Sequence, residues 1–136
     1  MTRVMVFGTF DLIHPGHVEF FRQAKALAAD SHLIVSVARD KNVARIKGTA
    51  PRNAESARLE EVRKLDYVGD AVLSDEVGFM AHIVAAKPDI IALGYDQEGE
   101  YVEHLKRALK DAGLNVAIVR LKPHEPERFK TSKLRM

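Results

Sequence analysis

Five short apolar runs, at residues 4–7, 33–38, 70–73, 89–93 and 115–121, alternate along the chain with longer stretches whose apolar residues recur at helical spacing. Few folds accept that alternation. Short buried strands separated by amphipathic helices predict a parallel sheet with helices packed on both faces.

The stretch from Gly16 to about Ala29 sets Val18, Phe21, Ala24, Leu27 and Ala28 at helical spacing, a first covering helix. Residues 39–51 are polar, basic and broken by Gly48 and Pro51, which predicts a loop holding at most one helical turn at residues 42–46. Asn53 is placed to cap a second helix whose apolar side carries Ala57, Val62 and Leu65. Residues 79–86 predict a third helix stopped by Lys87-Pro88, and residues 101–112 a fourth stopped by Gly113. In the polar tail, Thr131 and Ser132 are placed to cap one more. The order of elements predicts a doubly wound, Rossmann-like α/β fold with right-handed crossovers. A chain of 136 residues, 46% hydrophobic, suffices for one core and is short for two, so residues 1–136 are expected to form a single domain.

The string Gly8-Thr9-Phe10-Asp11-Leu12-Ile13-His14-Pro15-Gly16-His17 falls where the first strand ends and the first helix begins. In open α/β sheets ligands sit at that edge. Gly8 would let the backbone approach a ligand, and a helix starting at Pro15 or Gly16 would aim unpaired N–H groups and a partial positive charge at the same place. An anion is expected there. His14 and His17, three apart on a first helical turn, would project their rings on one side as donors to it. Zinc is the alternative for two such histidines, but it requires a third ligand, and His32, His82, His104 and His124 lie on segments with no evident reason to converge.

This string resembles the cytidylyltransferase-like nucleotidyltransferases, which carry a Gly-Thr-Phe-Asp turn followed by His-x-Gly-His. The resemblance continues through Ala38-Arg39-Asp40-Lys41, Lys47-Gly48, Arg58, Leu93-Gly94-Tyr95-Asp96-Gln97 and Thr131-Ser132-Lys133, and so spans nearly the whole chain. It implies an enzyme that moves a nucleoside monophosphate from a nucleoside triphosphate to a phosphorylated small molecule, releasing pyrophosphate. It further implies that His14 and His17 contact the triphosphate and that Lys47 and Arg58 hold the transferring or acceptor phosphate. Gly8, Thr9, Phe10, Asp11, Gly16, Gly94, Tyr95 and Asp96 would line the nucleotide pocket, with Thr131 and Ser132 touching phosphate. Asp11 remains open between a turn residue and a partner of metal-bound water. Relatives of this kind are commonly homodimers.

The residue types suit that reaction. A phosphate monoester is already anionic near neutral pH, so it can attack the α-phosphorus without a general base, and no serine or cysteine stands beside a histidine and carboxylate to suggest a covalent intermediate. What is needed is fixed donors and cations for the charge on the α-phosphate oxygens and the departing pyrophosphate. Magnesium is expected to arrive with the triphosphate, whose clustered hard oxygens hold it with few protein contacts.

Composition narrows the setting. There are no cysteines, which excludes a disulfide scaffold, thiolate metal sites and a cysteine nucleophile, and fits a reducing cytoplasm. A net charge of +2, with both signs interspersed, carries no nucleic-acid footprint. The start lacks a secretory leader, and no apolar run approaches the roughly 20 residues of a membrane span.

Among subgroups, Val37-Ala38-Arg39-Asp40-Lys41, His14-Pro15-Gly16-His17 and Leu93-Gly94-Tyr95-Asp96-Gln97 are most similar to small archaeal-type FAD synthases, which implies ATP as donor and FMN as acceptor. Those enzymes often carry cysteines near the C-terminus, and this chain departs from them there. Glycerol-3-phosphate cytidylyltransferases, using CTP, share the turn and the length, and Glu98-Gly99-Glu100 is faintly similar to them, whereas Arg128-Phe129-Lys130-Thr131-Ser132 matches their ending poorly. Heptose-phosphate adenylyltransferases are similar around residues 47–53. Two other classes stand as rivals. Lys130-Thr131-Ser132-Lys133 resembles the loop of class I aminoacyl-tRNA synthetases, but no room exists for tRNA-binding domains. A nucleotide-binding sensor without turnover would keep the fold, though the retained histidines argue against it.

Overall fold

In the computed structural model, which describes residues 1–95, 97 and 100–122, the chain runs β1 (Thr2–Gly8), α1 (Pro15–Lys25), β2 (Ser31–Val37), α2 (Asp40–Lys47), α3 (Glu55–Arg63), β3 (Asp70–Leu73), α4 (Met80–Ala86), β4 (Ile90–Leu93), α5 (Glu100–Asp111) and β5 (Ala117–Arg120). The five strands form one parallel sheet in the order β3-β2-β1-β4-β5. From β1 the chain builds outward through β2 and β3, then crosses back to place β4 and β5 on the other side. The carboxyl ends of the neighbouring strands β1 and β4 therefore lead into segments that diverge, which opens a crevice between them.

Strand alternation assigns the two faces. Val4 and Val6 of β1, with Leu33, Val35 and Val37 of β2 and Ala92 of β4, pack with Phe21 and Ala24 of α1 and Val62 of α3. Met5, Ile34, Ile91 and Leu93 point the other way and pack with Ile83 of α4 and Val102, Leu105 and Leu109 of α5. Near-continuous apolar strands are what a sheet covered on both faces requires.

Two expectations about local structure are corrected. Residues 40–47 form a helix rather than a loop with one turn. Gly48, at φ 83, ends that helix in the left-handed region instead of interrupting it, and Asp40 suits the positive end of its dipole. The polar composition hid the helix because, among its described side chains, Val43 is the only buried apolar one. Asn53 is not the cap of α3. That position is Ala54, without a side-chain bond, while the Asn53 amide donates to the Asp11 carbonyl. A surface depression of about 240 Å³, lined by Ile83, Lys87, Asp89 and Val116 among others, lies where β4 and β5 begin, at the opposite end of the strands from the crevice.

Candidate active site

The turn after β1 is shaped by one aromatic ring. Phe10 adopts φ 51 and folds back so that its side chain is only 6% exposed, packed against Phe21 and, edge to face at 5.2 Å, against His17. A methyl group on Gly8 would lie 2.5 Å from Phe10 Cζ, so glycine is required there to admit the ring. The expected reason was close approach of a ligand, and the observed one is packing. Phe10, expected among the nucleotide contacts, lies in the core and acts on the surface only through His17.

His14 and His17 meet as expected but from different positions. His14 is the N-cap of α1, with extended backbone, and His17 is the third helical residue. Their rings stack at 3.8 Å and 22°. His14 Nδ1 accepts the Gly16 N–H at 3.1 Å, and His17 Nδ1 accepts the His14 N–H at 3.4 Å, a reciprocal capping box built from two imidazoles. Accepting nitrogens carry no proton, so each neutral ring bears its proton on Nε2. The amino end of α1 is thus already capped: Pro15 has no N–H, that of Gly16 meets His14, and those of His17 and Val18 meet the His14 carbonyl. The expectation of bare helix N–H groups is corrected, because the histidines occupy them. His14 is exposed, and its Nε2 has no partner among the described residues. His17 is half-buried, and burial, followed by the neighbouring His14, pushes it down to about 4 against an opposing hydrogen bond with the Leu12 backbone. Near neutral pH His17 is a neutral donor.

Beside the histidine turn lies a set of polar struts. Asp11 accepts the N–H groups of Arg52 at 2.7 Å and Asn53 at 2.8 Å, one on each carboxylate oxygen. These two bonds lead the causes that hold its carboxyl below the usual range, and they clamp the loop after β1 to the loop before α3. Arg58 is 1% exposed, the largest fully buried side chain among the described residues. Its guanidinium donates to the carbonyls of Thr9 at 2.7 Å and Asn53 at 3.0 Å and to Asp40 Oδ1 at 2.7 Å. Asp40 and Glu55 exchange backbone N–H bonds through their carboxylates, at 2.8 and 3.2 Å. Arg58, expected to grip a phosphate, instead ties the histidine turn to α2 and to the loop before α3. The sequence does not single out Glu55, and it offers Asn53 only as a helix cap and Asp40 only as part of the Ala38-Arg39-Asp40-Lys41 match; the role each has here depends on partners distant in the chain.

On the other side of the crevice, Gly94 and Tyr95 follow β4. Arg120 of β5 donates to the carbonyls of Gly94, Tyr95 and Gln97, and the Gln97 side chain accepts the Gly94 N–H at 2.8 Å. Tyr95 is 53% exposed, Leu12 67% and Val77 83%, so apolar groups stand exposed on three loops that follow β4, β1 and β3. Lys47 is the last residue of α2. Its side chain, like Asp96, Thr131 and Ser132, lies outside the described residues. Among the described residues no group of three or more His, Asp or Glu side chains could hold a metal ion, and no helix is long and apolar enough to cross a membrane.

Residues 5–136 match the sequence profile of the Cytidylyltransferase-like family. The chain is 43% identical over 134 residues to the FAD synthase of Pyrococcus horikoshii, covering 97% of this chain and 88% of that one. It is 46% identical over 125 residues to the FAD synthase of Archaeoglobus profundus, covering 92% and 77%. Among solved structures, a lipopolysaccharide core biosynthesis protein from Thermoplasma volcanium superposes with a TM-score of 0.82 at 38% identity, over 92% of this chain and 99% of the other.

Proposed function

The chain belongs to the cytidylyltransferase-like family and is an FAD-synthase-like nucleotidyltransferase, and from that premise we propose that it joins AMP from ATP to FMN, forming FAD and releasing pyrophosphate. The observation that carries the chemistry is the stacked imidazole pair at the carboxyl end of β1, with both Nδ1 atoms accepting backbone N–H groups. The relatives support ATP and FMN as the pair of substrates. The exposed Leu12, Tyr95 and Val77 on the strand-end loops suit a large flat heteroaromatic acceptor better than a small polyol phosphate.

An oxygen of the FMN phosphate attacks the α-phosphorus of ATP. The new P–O bond forms as the bond to the bridging oxygen breaks, and pyrophosphate leaves with that electron pair. The attacking oxygen is already anionic, so no proton has to be removed. His14 and His17 donate from their rings to the triphosphate, His17 without a net charge of its own, and Lys47, at the end of α2, supplies a cation. Arg58 and Asp11 serve by holding the turn in place. Gly94 and Tyr95, after β4, serve nucleotide binding together with Asp96, and Thr131 and Ser132 contribute contacts to phosphate. Magnesium, held by the triphosphate oxygens, would offset part of their charge.

The test is pyrophosphate release from ATP and from CTP, each with magnesium and with FMN, glycerol 3-phosphate or a sugar phosphate. Release is expected with ATP and FMN together, accompanied by FAD. Consumption of CTP, or release from ATP that depends on a sugar phosphate and not on FMN, would overturn the assignment of substrates.

A further inference from the structure

A third histidine, remote in sequence from the first pair, sits inside a buried polar chain. Along the face of β2 that meets α4 and α5, the apolar series is broken at Ser36, two residues beyond Ile34. Ser36 is 2% exposed, and its hydroxyl lies 2.9 Å from His82 Nε2. His82 Nδ1 lies 2.8 Å from Asp75 Oδ2, which also accepts the His82 backbone N–H at 3.0 Å, and Phe7 packs edge-on against the ring at 5.9 Å. With the carboxylate accepting from Nδ1, Nε2 is left to accept the Ser36 proton. Serine, histidine and aspartate follow one another as in a hydrolytic triad, but this serine is buried under a helix, so no substrate can reach it and the array is no nucleophile.

Its connections lead elsewhere. The Asp75 carbonyl accepts Asn42 Nδ2 at 2.9 Å, and the Ser74 carbonyl and hydroxyl accept the Arg39 side chain and N–H. Asn42 is 9% exposed, and its Oδ1 has no partner among the described residues, so the amide is kept in place by its donor bond to Asp75. These bonds fix the first turn of α2, where Val43 is the only buried apolar side chain among those described. Between Arg39 and Asn42 stands Asp40, which holds Arg58, which in turn holds the Thr9 carbonyl at the head of the histidine turn.

We propose that His82 and Asp75 are positioning residues for nucleotidyl transfer: they lock the loop after β3, that loop locks α2, and α2 through Asp40 and Arg58 sets the turn that carries His14. The link to turnover rests on the function proposed above, whereas the mechanical link does not.

The experiment uses the full chain with His82→Leu, His82→Gln, Asn42→Ala and the double variant His82→Leu/Asn42→Ala. Hydrogen exchange of α2 and of residues 9–17 is read beside kcat, KM for ATP and the melting temperature. His82→Leu and Asn42→Ala are each expected to speed exchange in α2 and the histidine turn while β1 and β4 stay protected. Each should lower kcat/KM for ATP by about tenfold to a hundredfold, the range for displaced catalytic groups. His82→Gln, which can still donate to Asp75, should recover part of the loss. Because the residues act in series, the double variant should be little worse than either single one. The proposal is overturned if the kinetic losses multiply, or if His82→Leu lowers the melting temperature while α2 and the histidine turn exchange as in the wild type. Should His82→Leu not fold, Asn42→Ala alone decides the exchange result. Failure of the FAD assignment would show separately, as a wild-type protein that makes no FAD from ATP and FMN.

Discussion

The turn carrying His14 and His17 and the region carrying Arg58 are both built from nitrogen donors suited to phosphate, yet they use those donors in opposite ways. In the turn, each ring accepts a backbone N–H on Nδ1, and the exposed His14 keeps Nε2–H without a partner among the described residues. Around Arg58, three bonds to two carbonyls and a carboxylate bury the guanidinium completely. One region offers donors and the other consumes them to hold the first in shape. Residue type therefore does not reveal role, and the connectivity of the donors does.

The contrast predicts that removing Arg58 damages folding before it damages chemistry. Arg58→Ala strands Asp40 and the Thr9 and Asn53 carbonyls, and should lower stability by about 3 kcal/mol in denaturant unfolding. A variant with unchanged stability and only a raised KM would break the distinction and return Arg58 to direct phosphate contact. His14→Ala should do the reverse. Losing one preorganised donor is worth about 2.7 to 4 kcal/mol of transition-state stabilisation, a fall of roughly a hundredfold or more in turnover, against a smaller loss of stability, about 1 kcal/mol, from the missing helix cap. Turnover at the wild-type rate would remove the histidine from the mechanism.

Gly8→Ala probes the boundary between the two regions. The added methyl would sit 2.5 Å from the Phe10 ring, so Phe10 must shift, at a cost of about 1–3 kcal/mol by thermal unfolding, and His17 must move with it. Wild-type stability would mean that the ring does not pin the turn. A further effect is a pH dependence. The folded-state pKa of His17 is about 4, below its ordinary 6.5, so the folded protein binds fewer protons than the unfolded chain between these values. The corresponding stability is fully present above pH 6.5 and is lost as pH falls toward 4, and His17→Gln should flatten that part of the stability curve. Followed by NMR, the ring should titrate near 4 alone and higher once pyrophosphate supplies an anion. An unchanged titration would separate His17 from the phosphate site.

Much of this arrangement was legible beforehand because it depends on local signals. Strand positions follow from apolar runs that both faces of a covered sheet demand, and the location of the histidines follows from a strand-to-helix junction. Where the reading went astray, a non-local contact had overridden composition. The helix α2 reads as a polar loop because its first turn is held by polar bonds to residues 74–75, some 35 positions away in the case of Arg39. Asn53 reads as a cap because that is its local preference, but Asp11, 42 positions earlier, claims its N–H.

The amino-acid sequence alone determined the strand–helix order, the two apolar faces of each central strand and the placement of two imidazoles at a sheet edge, since each depends on neighbours within a turn or a pleat. Tertiary structure alone decided which polar groups remain open. Arg58, Asp11, Asn42 and His82 acquire their partners only when distant loops converge. A buried donor must find an acceptor wherever folding brings one, and its identity in the chain does not say which one that will be.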